Sequence, residues 1–252
     1  MHLIRCPFKM KLDFKHFNIK FEKNTVIIAG AGPGSKKLIT LKLKYILGIS
    51  DVVIYDALVN KSVLKLCHRK AILIYAGKTK KQSCTQSDIN NLMIKYANQN
   101  KRVLRLKGGD VSFFSRGSQE VEFLKKNKIN FQVFSAISSS QASLNAINQN
   151  FFDGKKICNL FTGHKKVNSK SKVVDYNFLS KNKGRIFIYM GISQIKEIIK
   201  NLILKGIKSS EKVSIVKNAS LTNQKIFKTN VKNCATFIEK NKISSPAIII
   251  IR

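Results

Sequence analysis

From residue 25 onward the chain repeats one pattern. A short run of apolar, mostly β-branched residues ends in glycine or a polar turn, and a stretch with helical spacing follows. Residues 25–29 (Thr-Val-Ile-Ile-Ala), 51–55, 71–76, 102–106 and 131–134 read as strands. Most are near-continuously apolar, as expected of strands covered on both faces. Residues 38–47 carry apolar positions at helical spacing, with Gly48 as the expected stop. Asn60 is placed to cap a helix running to Leu66, and Ser87 or Asp88 to cap a longer one ending at Asn98. Ile89, Leu92, Met93 and Tyr96 form the apolar face of that longer helix. Further helices are expected over 117–126 and 138–148. Strands alternating with helices predict a largely parallel sheet.

After Asn148 the pattern changes. Residues 149–155 read as a linker, and strands are expected at 156–162, 185–189, 212–217 and 246–251. A helix over 193–204 should end at Gly206, and 164–172 is a polar loop. The expected architecture is two α/β domains, 24–148 and 156–252, preceded by a basic extension at 1–23. No internal repeat is visible.

Composition changes this picture little. The 252 residues hold 47 Lys+Arg against 13 Asp+Glu, a formal net charge of +34. Such a balance fits a nucleic-acid, membrane or polyanion binder. However, pairs such as Lys36-Lys37, Lys80-Lys81, Lys125-Lys126, Lys155-Lys156 and Lys165-Lys166 are scattered, not gathered into one arginine-rich stripe. Lys, Asn and Ile are over-used throughout and Trp is absent, so compositional bias is the better reading and nucleic acid is not the expected partner. The charge can still steer an acidic substrate. The five cysteines form no C-x-x-C pair, and Cys67-His68 has no companion with zinc-like spacing, so no metal site is expected. A reducing, cytoplasmic setting fits. No apolar run is long enough to span a membrane, and residues 1–23 lack a signal peptide's apolar centre.

Candidate chemistry collects where four expected strands end. The motifs are Gly30-Ala31-Gly32-Pro33-Gly34, Tyr55-Asp56-Ala57-Leu58-Val59, Gly77-Lys78 and Lys107-Gly108-Gly109-Asp110. In a parallel sheet these all fall on the edge where ligands bind. The first is not a dinucleotide fingerprint, since Ser35 stands where the third glycine belongs and Pro33 removes an amide donor. Gly77-Lys78-Thr79 ends like a P-loop, but Ile72 replaces its first glycine. Asp56 either caps the following helix or works in a cleft, and Lys78 is equally an ordinary loop lysine. The double glycine 108–109 offers backbone bare enough to wrap a small molecule.

Taken in order, these motifs resemble the tetrapyrrole methylases. The family pattern runs G-A-G-P-G-D with L-T-L-K, then A-D-V-V-x-Y-D-x-L-V, G-K, and V-x-R-L-K-G-G-D-P-x-x-F-G-R-G-x-E-E. Here it appears as Gly30–Ser35 with Leu38-Ile39-Thr40-Leu41-Lys42, as Ser50–Val59, as Gly77-Lys78, and as Val103–Asp110 with Phe114–Glu120. Fainter matches continue at Tyr189-Met190-Gly191, Asn218-Ala219-Ser220 and Ser245-Pro246-Ala247. The resemblance implies two α/β domains, usually in a homodimer, with S-adenosylmethionine in the cleft between them. It implies methylation of two pyrrole carbons of uroporphyrinogen III to precorrin-2, at the branch toward sirohaem and cobalamin. The alternatives are a later precorrin methylation or an RNA-directed methylase. On the family pattern Pro33, Gly108, Gly109, Asp110, Phe113, Ser138, Ser139, Met190 and Ala219 line the cofactor site. Asp56 matches the proton acceptor and Lys78 the donor, and Arg116 is a candidate for substrate carboxylates. Three segments depart from the pattern: Val111-Ser112 lacks a proline, Ser135-Ala136-Ile137-Ser138 replaces Pro-Gly-Ile-Thr, and Gln149-Asn150-Phe151-Phe152 replaces Leu-Thr-His-Arg.

Overall fold

The structure, a computed structural model, describes residues 19–77, 84–152, 154, 157–163 and 174–252. The first half alternates β1 (Thr25–Gly30), α1 (Leu41–Ile49), β2 (Val52–Tyr55), α2 (Lys61–Leu64), β3 (Ile72–Tyr75), α3 (Gln86–Asn98), β4 (Val103–Lys107), α4 (Gly117–Lys126), β5 (Asn130–Phe134) and α5 (Ser139–Ala146). Its five strands form one parallel sheet in the order β3-β2-β4-β1-β5. Consecutive residues of β1 serve opposite faces, as the pleat requires. Ile27 and Ala29 pack with Leu43, Ile46 and Leu47 of α1, while Val26 and Ile28 pack with Ile89 and Met93 of α3 and Leu124 of α4. Both faces are dry, which explains the unbroken apolar runs.

The second half contains β6 (Cys158–Thr162), α6 (Tyr176–Lys181), β7 (Arg185–Tyr189), α7 (Ile195–Leu204), β8 (Lys212–Lys217), β9 (Lys225–Asn230), α8 (Cys234–Lys240) and β10 (Ala247–Ile251). The sheet order is β6-β7-β10-β8-β9, parallel at β6/β7 and antiparallel elsewhere. Because β7 and β8 each run against β10, they run in the same direction and end at the same edge. One face of this sheet is covered by α7 and α8. On the other, Leu144 of α5 packs among Phe187, Tyr189, Ile248 and Ile250. That contact joins the two halves.

Several local expectations change. Gly48 does not stop α1, which runs to Ile49 with Ser50 at its C-cap. Thr85, not Ser87 or Asp88, caps α3; its hydroxyl receives the Asp88 N–H and Asp88 accepts the Thr85 N–H in return. The strand expected at 71–76 is present as β3 and lies at the sheet edge, with Ile72, Leu73 and Tyr75 exposed. Phe21, inside the stretch read as an extension, is buried in the α1-side core. α6, β9 and α8 are additions the sequence pattern did not reveal. No helix of the described residues is long and apolar enough to cross a membrane.

Candidate active site

The loops after β1 and β4 are stitched together. Gly32 N–H donates to Gly109 O at 3.1 Å and Gly109 N–H to Gly32 O at 2.9 Å. Both glycines have positive φ, +75° and +72°. A Cβ on Gly30 would lie 2.4 Å from Gly109 O and 2.7 Å from Ala136 Cβ, so glycine is needed there to let three loops meet. At Gly109 a Cβ would meet nothing within 4 Å, so open space lies beside this backbone. The carboxylate of Asp110 faces inward. Its Oδ1 accepts the Ser112 N–H at 2.8 Å and its Oδ2 the Ala136 N–H at 2.5 Å, which ties the loop at 135–138 to the double glycine.

Asp56 follows β2 and is partly exposed. Behind it lies a ring of alternating charges. Arg105 Nη2 donates to Asp56 Oδ1 at 2.6 Å and Arg105 Nε to Glu120 Oε1 at 3.1 Å. Lys107 Nζ donates to the same Glu120 oxygen at 2.9 Å and stands 4.0 Å from Asp56 Oδ2. Arg105, Lys107 and Glu120 are all buried. Arg105 and Lys107 share the β4 face that packs on α3 and α4, where Gln86 Nε2 also reaches Glu120 Oε1 at 3.2 Å. Burial works against the Arg105 charge, but Glu120 and Asp56 outweigh it and its pKa rises. For Lys107, burial and the Arg105 charge win, and its pKa falls. Desolvating such ions costs several kcal/mol each and is offset only by close, hydrogen-bonded pairing.

The second half brings its own loops to this edge. Tyr189, at the end of β7, lies with its hydroxyl 2.6 Å from Ser138 Oγ. Its ring stacks on Phe113 (centroids 6.3 Å apart) and packs tilted against Phe114 (4.9 Å). After β8, Ser220 Oγ accepts the Ser35 N–H at 3.1 Å, and a Cβ on Gly34 would touch Leu221. Phe113, Phe114, Met190 and Leu58 stay exposed around this junction. Open space beside bare backbone, rimmed by apolar side chains with serines and a carboxylate nearby, fits a ligand with both a flat apolar part and polar groups.

Comparison with known proteins gives this arrangement a family. The model of the tetrapyrrole (corrin/porphyrin) methylases matches residues 25–235. The chain belongs to this family. A sirohaem synthase of Nitrosomonas eutropha is 35% identical over 229 residues, covering 90% of this chain and 48% of that protein. One from Nitrosomonas europaea is 34% identical over 235 residues, covering 92% and 49%. The chain thus spans about half the length of these relatives. Among solved structures, uroporphyrin-III C-methyltransferase of Thermus thermophilus superposes with a TM-score of 0.75 at 26% identity, over 90% of this chain and 91% of that one. The same protein in complex with S-adenyl homocysteine gives 0.74. A cobalt precorrin-4 methyltransferase shares the fold at TM-score 0.79 and 22% identity, covering 91% and 95%.

In this tetrapyrrole methylase, most residues expected at the site gather at the junction. Pro33, Gly108, Gly109 and Asp110 belong to the stitched loops, Ser138 and Ser139 start α5, and Met190 and Ala219 follow β7 and β8. Met190 is left-handed (φ +50°), as are Asn218 and Ser220 on either side of Ala219. Asp56 does not cap α2, a task performed by Asn60. Arg116 is exposed and left-handed (φ +59°) at the head of α4. Lys78 lies outside the described residues. Sequence reasoning gave Arg105 and Glu120 no role and carried Lys107 only as the head of the double-glycine motif, although charges two apart in a central apolar strand were the available signal.

Proposed function

We propose that the chain is an S-adenosylmethionine-dependent methyltransferase that methylates two pyrrole carbons of uroporphyrinogen III to give precorrin-2. The observation that carries this reading is the placement of Asp56. It follows β2 at the sheet edge where β4 ends in the double glycine, and Leu58 of its own loop lies against Gly108. The 26% identity with a uroporphyrin-III methyltransferase of the same fold supports that substrate.

When bound, S-adenosylmethionine supplies a methyl group already activated on a sulfonium. Pro33, Gly108, Gly109, Phe113, Ser138, Ser139, Met190 and Ala219 hold it, and Asp110 fixes the shape of the loop around it. The enzyme's main task is alignment of donor and carbon. Asp56 assists by accepting the pyrrole N–H proton, which pushes electron density toward the carbon. Its Oδ1 is held by Arg105, so Oδ2 is the oxygen for this task. Lys78 is the proton donor. Arg116, exposed at the rim, pairs with substrate carboxylates, which guanidinium groups bind in bidentate fashion. The protein works as a homodimer, with the site in the cleft between domains 24–148 and 156–252.

The test is anaerobic incubation with uroporphyrinogen III and methyl-labelled S-adenosylmethionine, followed by mass spectrometry. A product heavier by two methyl groups is expected. Cofactor binding without methylation would exclude this substrate and redirect the search to later corrin intermediates.

A further inference from the structure

The ring formed by Asp56, Arg105, Glu120 and Lys107 contains more charge than proton transfer at Asp56 needs. Three of its members are buried and touch no open surface, so they cannot meet substrate directly. The two acids and two bases balance, and only Asp56 opens outward. Arg105 is the geometric centre. Its Nη2 fixes Asp56, its Nε fixes Glu120, and its Nη1 lies 3.4 Å from the carbonyls of Ile54 on β2 and Leu106 on its own strand. Glu120 gives Oε1 to Arg105, Lys107 and Gln86, while its buried Oε2 has no partner among the described residues. One oxygen of Glu120 thus aligns two cations on the same face of β4, at a desolvation cost that close pairing must offset.

We propose that Arg105 is the positioning residue for Asp56, and that Glu120, from α4, sets Arg105 in place for it. This rests on the methyltransferase reading above and assigns the rigidity of its proton acceptor to a two-layer device. One arm of the guanidinium, Nη2, holds Oδ1, while Oδ2 has Lys107 Nζ 4.0 Å away and is the oxygen left for the proton. Lysine at 105 would keep the charge and lose the fork.

Two experiments separate this role from folding and from the reaction itself. Steady-state methyl transfer is compared for Arg105→Lys and for the charge-balanced pair Arg105→Met with Glu120→Gln, each in the native and the Asp56→Ala background. Misplacing a reacting group by about 1 Å costs on the order of 100-fold. A kcat lower by roughly that factor is expected, with KM for both substrates changed less than about threefold and no further loss once Asp56 is alanine. Equal losses in both backgrounds, or a change confined to KM, would overturn the proposal. Independently of activity, the Arg105 guanidinium N–H signals are followed by proton–nitrogen NMR. They should be resolved and slowly exchanging in the native protein, and the Nη2–H signals should be lost in Asp56→Ala. Unaltered signals would also overturn it. An inactive native protein with that contact intact would overturn the reaction and leave the pairing standing.

Discussion

The hydroxyl of Tyr189 and the hydroxyl of Ser138 lie 2.6 Å apart, both buried, at the junction of the two halves. Ser138 precedes α5, which packs on the second sheet, and Tyr189 ends the inner strand β7. One hydrogen bond therefore registers the loop before α5 against the sheet it covers. Tyr189→Phe keeps the ring on Phe113 and Phe114 and leaves Ser138 with only Ser140 Oγ at 3.3 Å. A loss of about 1 kcal/mol is expected in urea unfolding. Tyr189→Ala also removes the ring and should cost about 3–5 kcal/mol. Equal costs for the two variants would mean that the ring contributes nothing.

Two glycines should respond in opposite directions. Gly30→Ala forces a methyl against Gly109 O and Ala136, where the nearest contact is backbone and cannot swing aside. Destabilisation of about 1–3 kcal/mol is expected, together with weaker ligand binding. Gly48 lies inside α1 with nothing within 4 Å of a new Cβ. Gly48→Ala should stabilise the protein by about 0.5–1 kcal/mol. Paired thermal melts decide, and a destabilised Gly48→Ala would contradict the helix assignment.

Much of the fold was legible because buried strands are rich in apolar residues: β1, β2, β7 and β10 contain unbroken apolar runs, and β4 and β8 are interrupted inside only by Arg105 and Ser214. What escaped had a weaker local signal. β9 is an edge strand reading Lys-Ile-Phe-Lys-Thr-Asn, where exposure removes the need for apolar residues. α6 has six residues and α8 seven, too few to establish a period. The glycine loops of the site were legible because close backbone approach leaves glycine in the sequence. The ring behind Asp56 was not, because it joins residues up to 64 positions apart (56 to 120) and depends on which face of β4 meets α4.

Asp51 and Arg102 clamp the starts of β2 and β4. Oδ2 accepts the Arg102 backbone N–H at 2.8 Å and its Nε at 3.1 Å, while Oδ1 accepts Nη2 at 3.1 Å. The Arg102 side-chain hydrogen bonds are the largest influence and hold the Asp51 carboxyl below its ordinary pKa. A lowered folded pKa gives stability that is full above the unfolded value, about 4. It is lost as pH falls through the folded value. Because both side chains are nearly a third exposed, solvent screening limits the gain. Asp51→Asn should cost about 1 kcal/mol at pH 7. The difference from the native protein should shrink below about pH 4. Urea midpoints at pH 7 and pH 3 measure it, and a pH-independent difference would contradict an ionic clamp.

In the proposed function, Asp110 acts on the cofactor through loop shape. Its two oxygens accept N–H groups from Ser112, two residues on, and from Ala136, across the site. Asparagine can accept only one of these, because its amide nitrogen would face the other donor. The local bond to Ser112 lies within one turn and should survive, so the loop at 135–138 is released. Losing a charge-assisted hydrogen bond costs about 1.5–3 kcal/mol, part of it felt in folding. A tenfold weaker binding corresponds to about 1.4 kcal/mol. Asp110→Asn should therefore raise the S-adenosylmethionine Kd by about tenfold while kcat at saturation changes less than about threefold. Calorimetric titration with S-adenosylhomocysteine and saturated turnover assays separate the two quantities. An unchanged Kd would show that the 135–138 loop does not touch the cofactor, whereas a collapse of kcat alone would give Asp110 a part in the chemistry.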